Sequence, residues 1–435
     1  MRAQSTIQPL AQQSLGTALL PPPIRVLWLL LLLLILFACV TPAQAQSDPN
    51  PAKPYATLDR QGVTYRGPVR AEDRDAPNGE AVIGLILPLR GPQETEGRAV
   101  LTAAQLALDE EQARGPLPDG RRLKLVARDE SGPWGQASVE ILKLIEEDQA
   151  LAILASANGT TAHLADQIAN KISVPILTLS SDPSTTQANV PWLFRVGPSD
   201  TDQARAFCQH IYSDLGVHRV LLVAEADYDG RVGSTEFEKV TKERNAAAPV
   251  RVELADGPTD LQGFRATLQI TRPEAIVLWT GAPFAEKLLQ VIRSERLSLP
   301  VFLCRKAAQL HTTLSPQIQD SAGSFSVDFS TRTQLPMHAT FEHAYAARTG
   351  NTPGLATEDA YAAIRIITAA IRQTGASPTL LREYFAREPK PNSATQIIRF
   401  DPAGNSIEPF SVIRLNTSDN IAAFAPGKPP DPANP

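Results

Sequence analysis

Short apolar runs alternate with longer helical patterns through most of this chain. Four such runs occupy residues 81–87, 122–127, 151–155 and 174–179. Between them, apolar residues recur at intervals of three and four, which is typical of helices packed on one face. Because strands and helices alternate at the spacing of right-handed crossovers, we predict an α/β fold with a doubly wound parallel sheet.

The same alternation restarts near residue 200 and predicts a second doubly wound lobe. Helical patterns again separate the apolar runs, so the second sheet is also expected to be largely parallel. The predicted strands of this lobe are residues 219–224, 250–254, 275–280, 300–304 and 323–329.

Three helical patterns and a hairpin follow the second lobe. The helices are predicted at 335–349, 357–373 and 377–387, and the hairpin joins 396–400 to 409–415. An Asp-Pro pair followed by glycine is typical turn chemistry for such a hairpin. One stripe of small and apolar residues is assigned to the core, and it consists of Ala360, Ala363, Ile364, Ile367 and Ala370.

These patterns divide the chain into two hinged lobes with flexible ends. The hinges are expected at residues 196–200, 328–333 and 356–359. The predicted division is a signal peptide (1–45), a flexible segment (46–80), lobe one (81–196, with 357–415 returning to it), lobe two (197–333, with the helix 334–356) and a flexible tail (416–435).

The amino terminus has the pattern of a secretion signal. Arg25 precedes the apolar run 26–40, and Ala43-Gln44-Ala45 fits the rule for a cleavage site. At 15 residues the run is shorter than the roughly 20 that a membrane-spanning helix needs. We therefore predict a periplasmic protein with a cleaved signal peptide. An uncleaved anchor and a lipoprotein attached through Cys39 remain open alternatives.

Composition excludes several classes of function. A net charge of −5 without a basic block argues against a nucleic-acid partner. After cleavage only Cys208 and Cys304 remain, and both lie in apolar patterns that favour buried free thiols. The six histidines are scattered, and no catalytic, metal-binding or phosphate-binding motif occurs. We predict no catalytic residues, no metal and no cofactor.

Two small polar turns follow neighbouring strands of the first predicted sheet. Asn158, Gly159 and Thr160 come after one strand, and Ser180 and Ser181 after the next. Carboxyl ends of parallel strands share one edge, where open α/β sheets bind ligands. Small polar groups beside a helix start can donate hydrogen bonds to an anion. The alternative is that the first turn only caps a helix.

Several stretches, taken in order, carry a family resemblance. They are 86–91 (ILPLRG), 174–176 (VPI), 359–363 (DAYAA) and 400–405 (FDPAGN). Their order across the mature chain resembles the type I periplasmic binding proteins of the branched-chain amino acid (Leu/Ile/Val) group. The resemblance implies a monomer whose two lobes close over a small solute and present it to a membrane ABC permease. The alternatives are a ligand sensor of the same fold and, less favoured, an extracytoplasmic α/β enzyme.

The resemblance also implies positions for the ligand contacts. In the family, a bound amino acid's carboxylate meets hydroxyls and backbone amides of two loops in the first lobe, and the second lobe adds an aromatic residue. The corresponding positions here are Asn158, Gly159, Thr160, Leu179, Ser180 and Ser181 in lobe one, and Tyr228 and Thr280 in lobe two.

Two cationic residues depart from the family pattern. The loop after 300–304 reads Arg305-Lys306-Ala307, where the family often has an acidic group, and Arg90 stands where Ser or Thr is favoured. Cations facing a cleft favour an anionic group. The sequence therefore predicts anion contacts at Arg90 and Arg305 and a carboxylic-acid solute without an amine. The alternative is that both arginines pair with local acids such as Asp229.

Overall fold

A computed structural model describes residues 79–133, 135–187, 190–309, 323–330, 336–387 and 398–415. The predicted signal peptide, Cys39, most of the flexible segment 46–80 and the tail 416–435 lie outside these ranges. Among the described residues, no helix combines the length and the apolar character that crossing a membrane requires.

The first lobe is built on a five-stranded parallel sheet with the order β2-β1-β3-β4-β5. Every residue of β1 after the first is buried, because helices cover both faces of the sheet. The strands are β1 (Glu80–Leu87), β2 (Arg122–Asp129), β3 (Ala152–Ala155), β4 (Ile176–Thr178) and β5 (Leu193–Arg195).

Four helices connect these strands as crossovers. They are α1 (Glu94–Gln112), α2 (Gln136–Glu146), α3 (Gly159–Ile172) and the short α4 (Ser184–Gln187). The apolar stripes of α2 and α3 pack on one face of the sheet, and the stripe of α1 packs on the other. This layering places the first residues of α3 at the carboxyl edge of the sheet.

The second lobe contains a six-stranded sheet with the order β11-β10-β9-β8-β6-β7. The edge strand β11 is antiparallel to β10, and the other described pairs are parallel. The strands are β6 (Val220–Glu225), β7 (Val250–Leu254), β8 (Ala275–Trp279), β9 (Val301–Leu303), β10 (Ser324–Phe329) and β11 (Phe410–Leu415).

Helices flank this second sheet as well. A capping box formed by Ser199 and Asp202 begins the first of them, which continues into a π-helical turn at Gln209–Asp214. Aromatic residues, among them Phe207 and Phe302, pack in the core. The helices are α5 (Asp200–Cys208), α6 (Tyr228–Glu243), α7 (Pro258–Thr271), α8 (Ala282–Ser294) and the short α9 (Arg305–Ala308).

Three more helices complete the described fold: α10 (Pro336–Thr349), α11 (Leu355–Thr374) and α12 (Pro378–Ala386). The small and apolar stripe of α11 is fully buried in the first lobe, as the sequence predicted. The predicted fold class, two lobes built on doubly wound parallel sheets, is confirmed. Both cysteines in the described part of the chain are buried and free, as predicted.

Two segments differ from the predicted division. Helix α10 packs Phe341 and Tyr345 into the core of the first lobe rather than the second, because Phe341 stacks on Tyr361 of α11. The segment 409–415 forms no hairpin with Phe400, which bridges only to Ser406. Instead β11 pairs with β10 and belongs to the second sheet. The chain therefore crosses between lobes after Ser406, and not at residues 356–359.

Candidate functional site

The carboxyl edges of the two sheets meet across a narrow cleft. From the first lobe, the backbone nitrogen of Gly159 donates a hydrogen bond to Asp229 Oδ1 of the second lobe at 3.0 Å. Beside it, the Tyr228 hydroxyl donates to Asp182 Oδ2 at 2.8 Å. The turns predicted after β3 and β6 thus face each other directly.

The turn after β3 both caps a helix and faces the cleft. Asn158 Oδ1 accepts a hydrogen bond from Thr161 N at 3.1 Å, which makes Asn158 the N-cap of α3. Gly159 is the first residue of the helix, and its amide is directed across the cleft. Thr160 follows and is partly buried. The capping role that sequence reasoning left open therefore coexists with a backbone donor directed across the cleft.

The turn after β4 is directed mainly into its own lobe. Leu179 and Ser180 are buried, and the Ser180 hydroxyl accepts from Asp182 N at 3.3 Å. Ser181 lies deeper in the cleft, where its carbonyl accepts from Asp200 N at 2.7 Å. Of the three predicted contacts in this turn, Ser181 is the one that lines the space between the lobes.

A buried carboxylate joins Tyr228 to the first lobe. Asp182 accepts from the Tyr228 hydroxyl and from Ser184 N and Oγ, and its Oδ2 lies 2.9 Å from His163 Nε2. Burial opposes the charge of Asp182, but these hydrogen bonds hold its pKa at about 2. The same contact raises the pKa of His163. Asp182 is therefore a charged residue of the first lobe that bonds across the cleft to Tyr228 of the second lobe.

Lys306 is the cation at the centre of the cleft. Its Nζ lies 2.5 Å from Asp229 Oδ2 and 3.7 Å from Asp227 Oδ2, and its side chain is 11% exposed. Burial opposes its charge, but the two carboxylates raise the pKa of Lys306 above its usual value. Glu96 of the first lobe lies close by, and burial raises the pKa of Glu96 to about 7.

One cavity at the cleft is about the size of one water molecule. Its volume is ≈ 10 Å³, and Ser181, Thr280 and Lys306 are among its lining residues. At its wall, Trp279 Nε1 donates to Asp200 Oδ1 at 3.0 Å. Burial raises the pKa of Asp200 to about 7. In this arrangement the lobes are closed on each other.

Arg305 and Arg90 are both bonded to carboxylates of the protein. The Arg305 guanidinium is directed away from the cleft, where NH1 donates to Asp328 Oδ1 at 2.9 Å and NH2 to Asp359 Oδ2 at 2.6 Å. Arg90 bonds to Asp129, and its side chain is 72% exposed. The Arg305 guanidinium is thus enclosed by protein acceptors, whereas the Arg90 side chain stays largely exposed. Their role as anion contacts stays a prediction.

The sequence predicted some of the residues that line this cleft and missed others. Gly159, Ser181, Tyr228 and Thr280 line it as expected. The titratable groups that sequence reasoning did not assign to the cleft are Glu96, His163, Asp182, Asp227, Asp229 and Lys306. Glu96 and His163 lie within helices, and for the other four the position shortly after an apolar run was the available signal.

Outside the cleft, three potential metal-ligating side chains converge: His338, Glu342 and Glu358. His338 Nδ1 lies 3.3 Å from the Glu342 carboxylate, and Nε2 lies 3.6 Å from Glu358. Each carboxylate thus faces a different ring nitrogen. This is the arrangement of a histidine between two acids, with one potential ligand atom from each residue within 4.8 Å of the others.

Known proteins share this architecture. Residues 80–387 match the family model described as periplasmic binding protein. The chain belongs to the periplasmic binding protein family. The resemblance drawn from the sequence is thereby confirmed, and so is the prediction of a binding protein rather than an enzyme. Membership of this family implies an extracytoplasmic location.

Relatives within this family include amino-acid binders. The Leu/Ile/Val-binding protein BraC3 of Rhizobium johnstonii is 22% identical over 300 residues, which cover 68% of this chain and 80% of the relative. LivJ of Streptococcus pneumoniae, a branched-chain amino acid transporter substrate-binding protein solved with isoleucine, has a TM-score of 0.68. Its sequence is 19% identical, and the match covers 78% of this chain and 97% of LivJ.

A second binding protein with the same fold is described with an aromatic acid. The ABC-transporter solute-binding protein of R. palustris in complex with benzoate also has a TM-score of 0.68. The two sequences are 17% identical, and the match covers 78% of this chain and 93% of that protein. At this identity the likeness establishes the fold that the chain shares with both structures.

Proposed function

We propose that this member of the family captures a small amino-acid-like or carboxylate solute between its lobes and delivers it to an ABC permease. The observation that carries the proposal is the hydrogen bond from the Gly159 amide to a carboxylate across the cleft. It identifies a position at the strand edge where a carboxylate is accepted. Family membership supplies the general role of a binding protein.

The local physics of α3 supports a carboxylate at this position. The first amides of a helix have no partner within the helix, and the helix dipole is positive at that end. Asn158 uses its side chain on Thr161 N, which leaves Gly159 N for a group outside the helix. A solute carboxylate placed where the Asp229 carboxylate lies would accept the same hydrogen bond.

Ligands of proteins with this fold agree with that chemistry. The LivJ structure contains isoleucine, and the R. palustris protein contains benzoate. Both molecules carry a carboxylate on an apolar body. The relative BraC3 is named for binding leucine, isoleucine and valine. We propose a solute of the same general kind, in which a carboxylate is the shared group.

A thermal-shift screen of the purified protein tests capture. L-leucine, L-isoleucine, benzoate and succinate are the probes, and L-leucinamide, which lacks the carboxylate, is the matched control for leucine. A ligand that binds only the native state adds about 2.7 kcal/mol at a hundredfold excess over its Kd. We expect a shift with at least one acid and none with leucinamide. An unchanged melting temperature with every acid contradicts the proposal.

The same screen decides between the two solute classes considered from the sequence. A shift confined to benzoate or succinate supports an acid without an amine. A shift with leucine or isoleucine contradicts that hypothesis and favours an amino acid. Delivery to a permease needs a separate measurement, the uptake of the radiolabelled solute by cells with and without this chain. Equal uptake in both strains contradicts delivery.

Export and assembly are part of the proposal. We propose a monomer that is secreted to the periplasm by a signal peptide cleaved after Ala45, with lipid attachment at Cys39 as the alternative. Mass spectrometry of the exported protein distinguishes the two forms. Size-exclusion chromatography with light scattering measures the oligomeric state, and a dimer contradicts the monomer.

A further inference from the structure

The carboxylate at the start of α3 is supplied by the protein itself. Asp229 Oδ1 accepts from Gly159 N at 3.0 Å, and Asp229 Oδ2 lies 2.5 Å from Lys306 Nζ. One oxygen is thus bound by the first lobe and the other by the second. Lys306 and Asp229 lie in the first turns of two helices of lobe two, α9 after β9 and α6 after β6, so this ion pair does not depend on the first lobe.

The fit around this carboxylate is close. A side-chain carbon at Gly159 would lie 2.6 Å from Asp229 Oδ1 and 2.9 Å from the ring of Tyr228. Only a glycine lets the first turn of α6 approach the first turn of α3 this closely. The remaining cavity of ≈ 10 Å³ is far smaller than the roughly 300 Å³ or more typical of small-molecule sites.

We propose that Asp229 is a built-in occupant of the carboxylate position of the cleft, which a solute displaces on binding, and that Lys306 holds it there. This inference rests on the proposed function, because displacement has meaning only if a solute enters the cleft. Asp229 then stabilises the closed arrangement of the two lobes when no solute is bound. A solute carboxylate gains the Gly159 amide only by breaking that contact, so its apparent affinity is lowered by the competition.

Lys306 makes the arrangement possible. Without a cation, the Asp229 carboxylate would be closed into the cleft next to Asp227 and Glu96, and like charges disfavour such burial. With Lys306 in contact, the carboxylate is paired with a cation at the place where it accepts from the helix start. Lys306 is therefore a positioning residue for Asp229.

The distance between the lobes, measured without any solute, tests the proposal. Spin labels on Lys171→Cys in α3 and Lys242→Cys in α6 report it, since both positions are exposed and the native cysteines are buried. Asp229→Ala and Gly159→Ala are the test variants, the first removing the carboxylate and the second blocking its approach. We expect both to shift the distance distribution to longer values than the wild type.

Two matched controls separate this effect from general damage. Asp256→Ala removes the aspartate of an exposed Lys–Asp pair with Lys287 in the same lobe, and Gly263→Ala adds a methyl group on a helix where nothing lies within 4 Å. Both are expected to keep the wild-type distribution. Circular dichroism confirms that each variant is folded.

A wild-type distribution in either test variant overturns the proposal. The outcome is independent of the ligand screen, because no solute is present. If the distances shift but no acid binds, the built-in occupant stands and the proposed function fails. If an acid binds but the distances do not change, the proposed function stands and the built-in occupant is rejected.

Discussion

Arg305 and Lys306 are neighbours in sequence, yet they serve two different regions of the molecule. Arg305 lies beside Gly197, in the segment where the chain crosses between the lobes, and this surrounding is called the hinge; there it bonds to Asp328 of β10 and Asp359 of α11. Lys306 lies in the cleft, where it bonds to Asp229. Both cations are buried and both are paired with carboxylates. The carboxylate partners, however, are expected to behave differently when the lobes separate.

The hinge pairs are closed on every side, whereas the cleft pair has one side that a solute can reach. Asp328 and Asp359 are 3% and 5% exposed, and a side-chain carbon at Gly197 would lie 3.1 Å from Asp359 Oδ2. Asp229 instead accepts a hydrogen bond from the other lobe with one of its carboxylate oxygens. The hinge carboxylates are thus enclosed by the protein, while the Asp229 carboxylate divides its two oxygens between the lobes.

The chemistry of each side chain suits its region. The planar guanidinium of arginine presents five donors and can satisfy several acceptors at once, as Arg305 does with Asp328, Asp359 and the carbonyl of Val327. The lysine ammonium is a compact charge on a flexible stem, which can follow a moving partner. Exchange of the two residue types would weaken both regions.

Removal of the hinge cation is expected to have the largest effect. Arg305→Ala removes the cation that bonds to two buried carboxylates, and breaking a buried pair in this way costs about 3–5 kcal/mol. Urea unfolding measures the loss. Arg251→Ala is the matched control, because Arg251 also bonds to two carboxylates but at the surface, where the cost is about 0–1 kcal/mol. Equal losses in both variants contradict the hinge role.

Removal of the cleft cation is expected to cost less. Lys306→Met leaves the Asp229 carboxylate without its cation, which costs about 1–3 kcal/mol for an unsatisfied group. Part of that loss is recovered when the lobes separate and water reaches Asp229. We therefore expect a smaller drop in unfolding free energy than for Arg305→Ala, together with a larger distance between the lobes. A loss as large as that at Arg305 erases the distinction between hinge and cleft.

The buried acids near the cleft give stability a defined dependence on pH. The pKa values of Glu96, Glu130 and Asp200 are each raised to about 7, chiefly by burial. Between their unfolded values near 4 and about 7, the folded protein binds more protons than the unfolded chain, so stability falls as pH rises. Each group contributes on the order of 1 kcal/mol per pH unit in that window.

Unfolding measured from pH 5 to pH 8 checks this slope. Glu96→Gln is expected to make it shallower, because one of the raised groups is removed. Glu94→Gln is the matched control on the same helix, since Glu94 is an exposed partner of Arg98. A stability that rises with pH over this window, or an equal slope in Glu96→Gln and wild type, contradicts the assignment.

The smallest effect is expected at Arg90. Its side chain is 72% exposed and pairs with Asp129 at the rim, so Arg90→Ala costs about 0–1 kcal/mol. The same variant tests the anion contact predicted from the sequence. A weaker affinity for the solute found in the ligand screen supports that contact, and an unchanged affinity ends it.

The strand and helix pattern predicted the two lobes because it depends on local periodicity. The position of β11 could not be predicted in the same way, since the turn at Asp401 is compatible with a local hairpin. The structure pairs β11 with β10, about eighty residues earlier in the chain. Helix α10 was misplaced for a similar reason: its aromatic residues find their partner, Tyr361, only in the folded core.

The sequence predicted which edge of the sheet forms the candidate site, but not which charged side chains lie there. The polar turns after β3 and β4 were predicted at one edge of the first sheet, since carboxyl ends of parallel strands share one edge, and the structure places Gly159 and Ser181 there. The directions in which the Arg305 and Lys306 side chains point could not be predicted from the sequence. Adjacent residues on a helical turn point to different sides, so one cation enters the hinge and the other the cleft.

Trp279 is an intrinsic fluorescent probe within the protein. The indole N–H donates to Asp200, the first residue of α5 after the chain has crossed between the lobes. Indole emission responds to a nearby charge, and the pKa of Asp200 lies at about 7. Ionisation of Asp200 is therefore expected to change the emission of this tryptophan, so a pH titration of the unlabelled protein reports the charge state of a carboxyl group at the edge of the cleft.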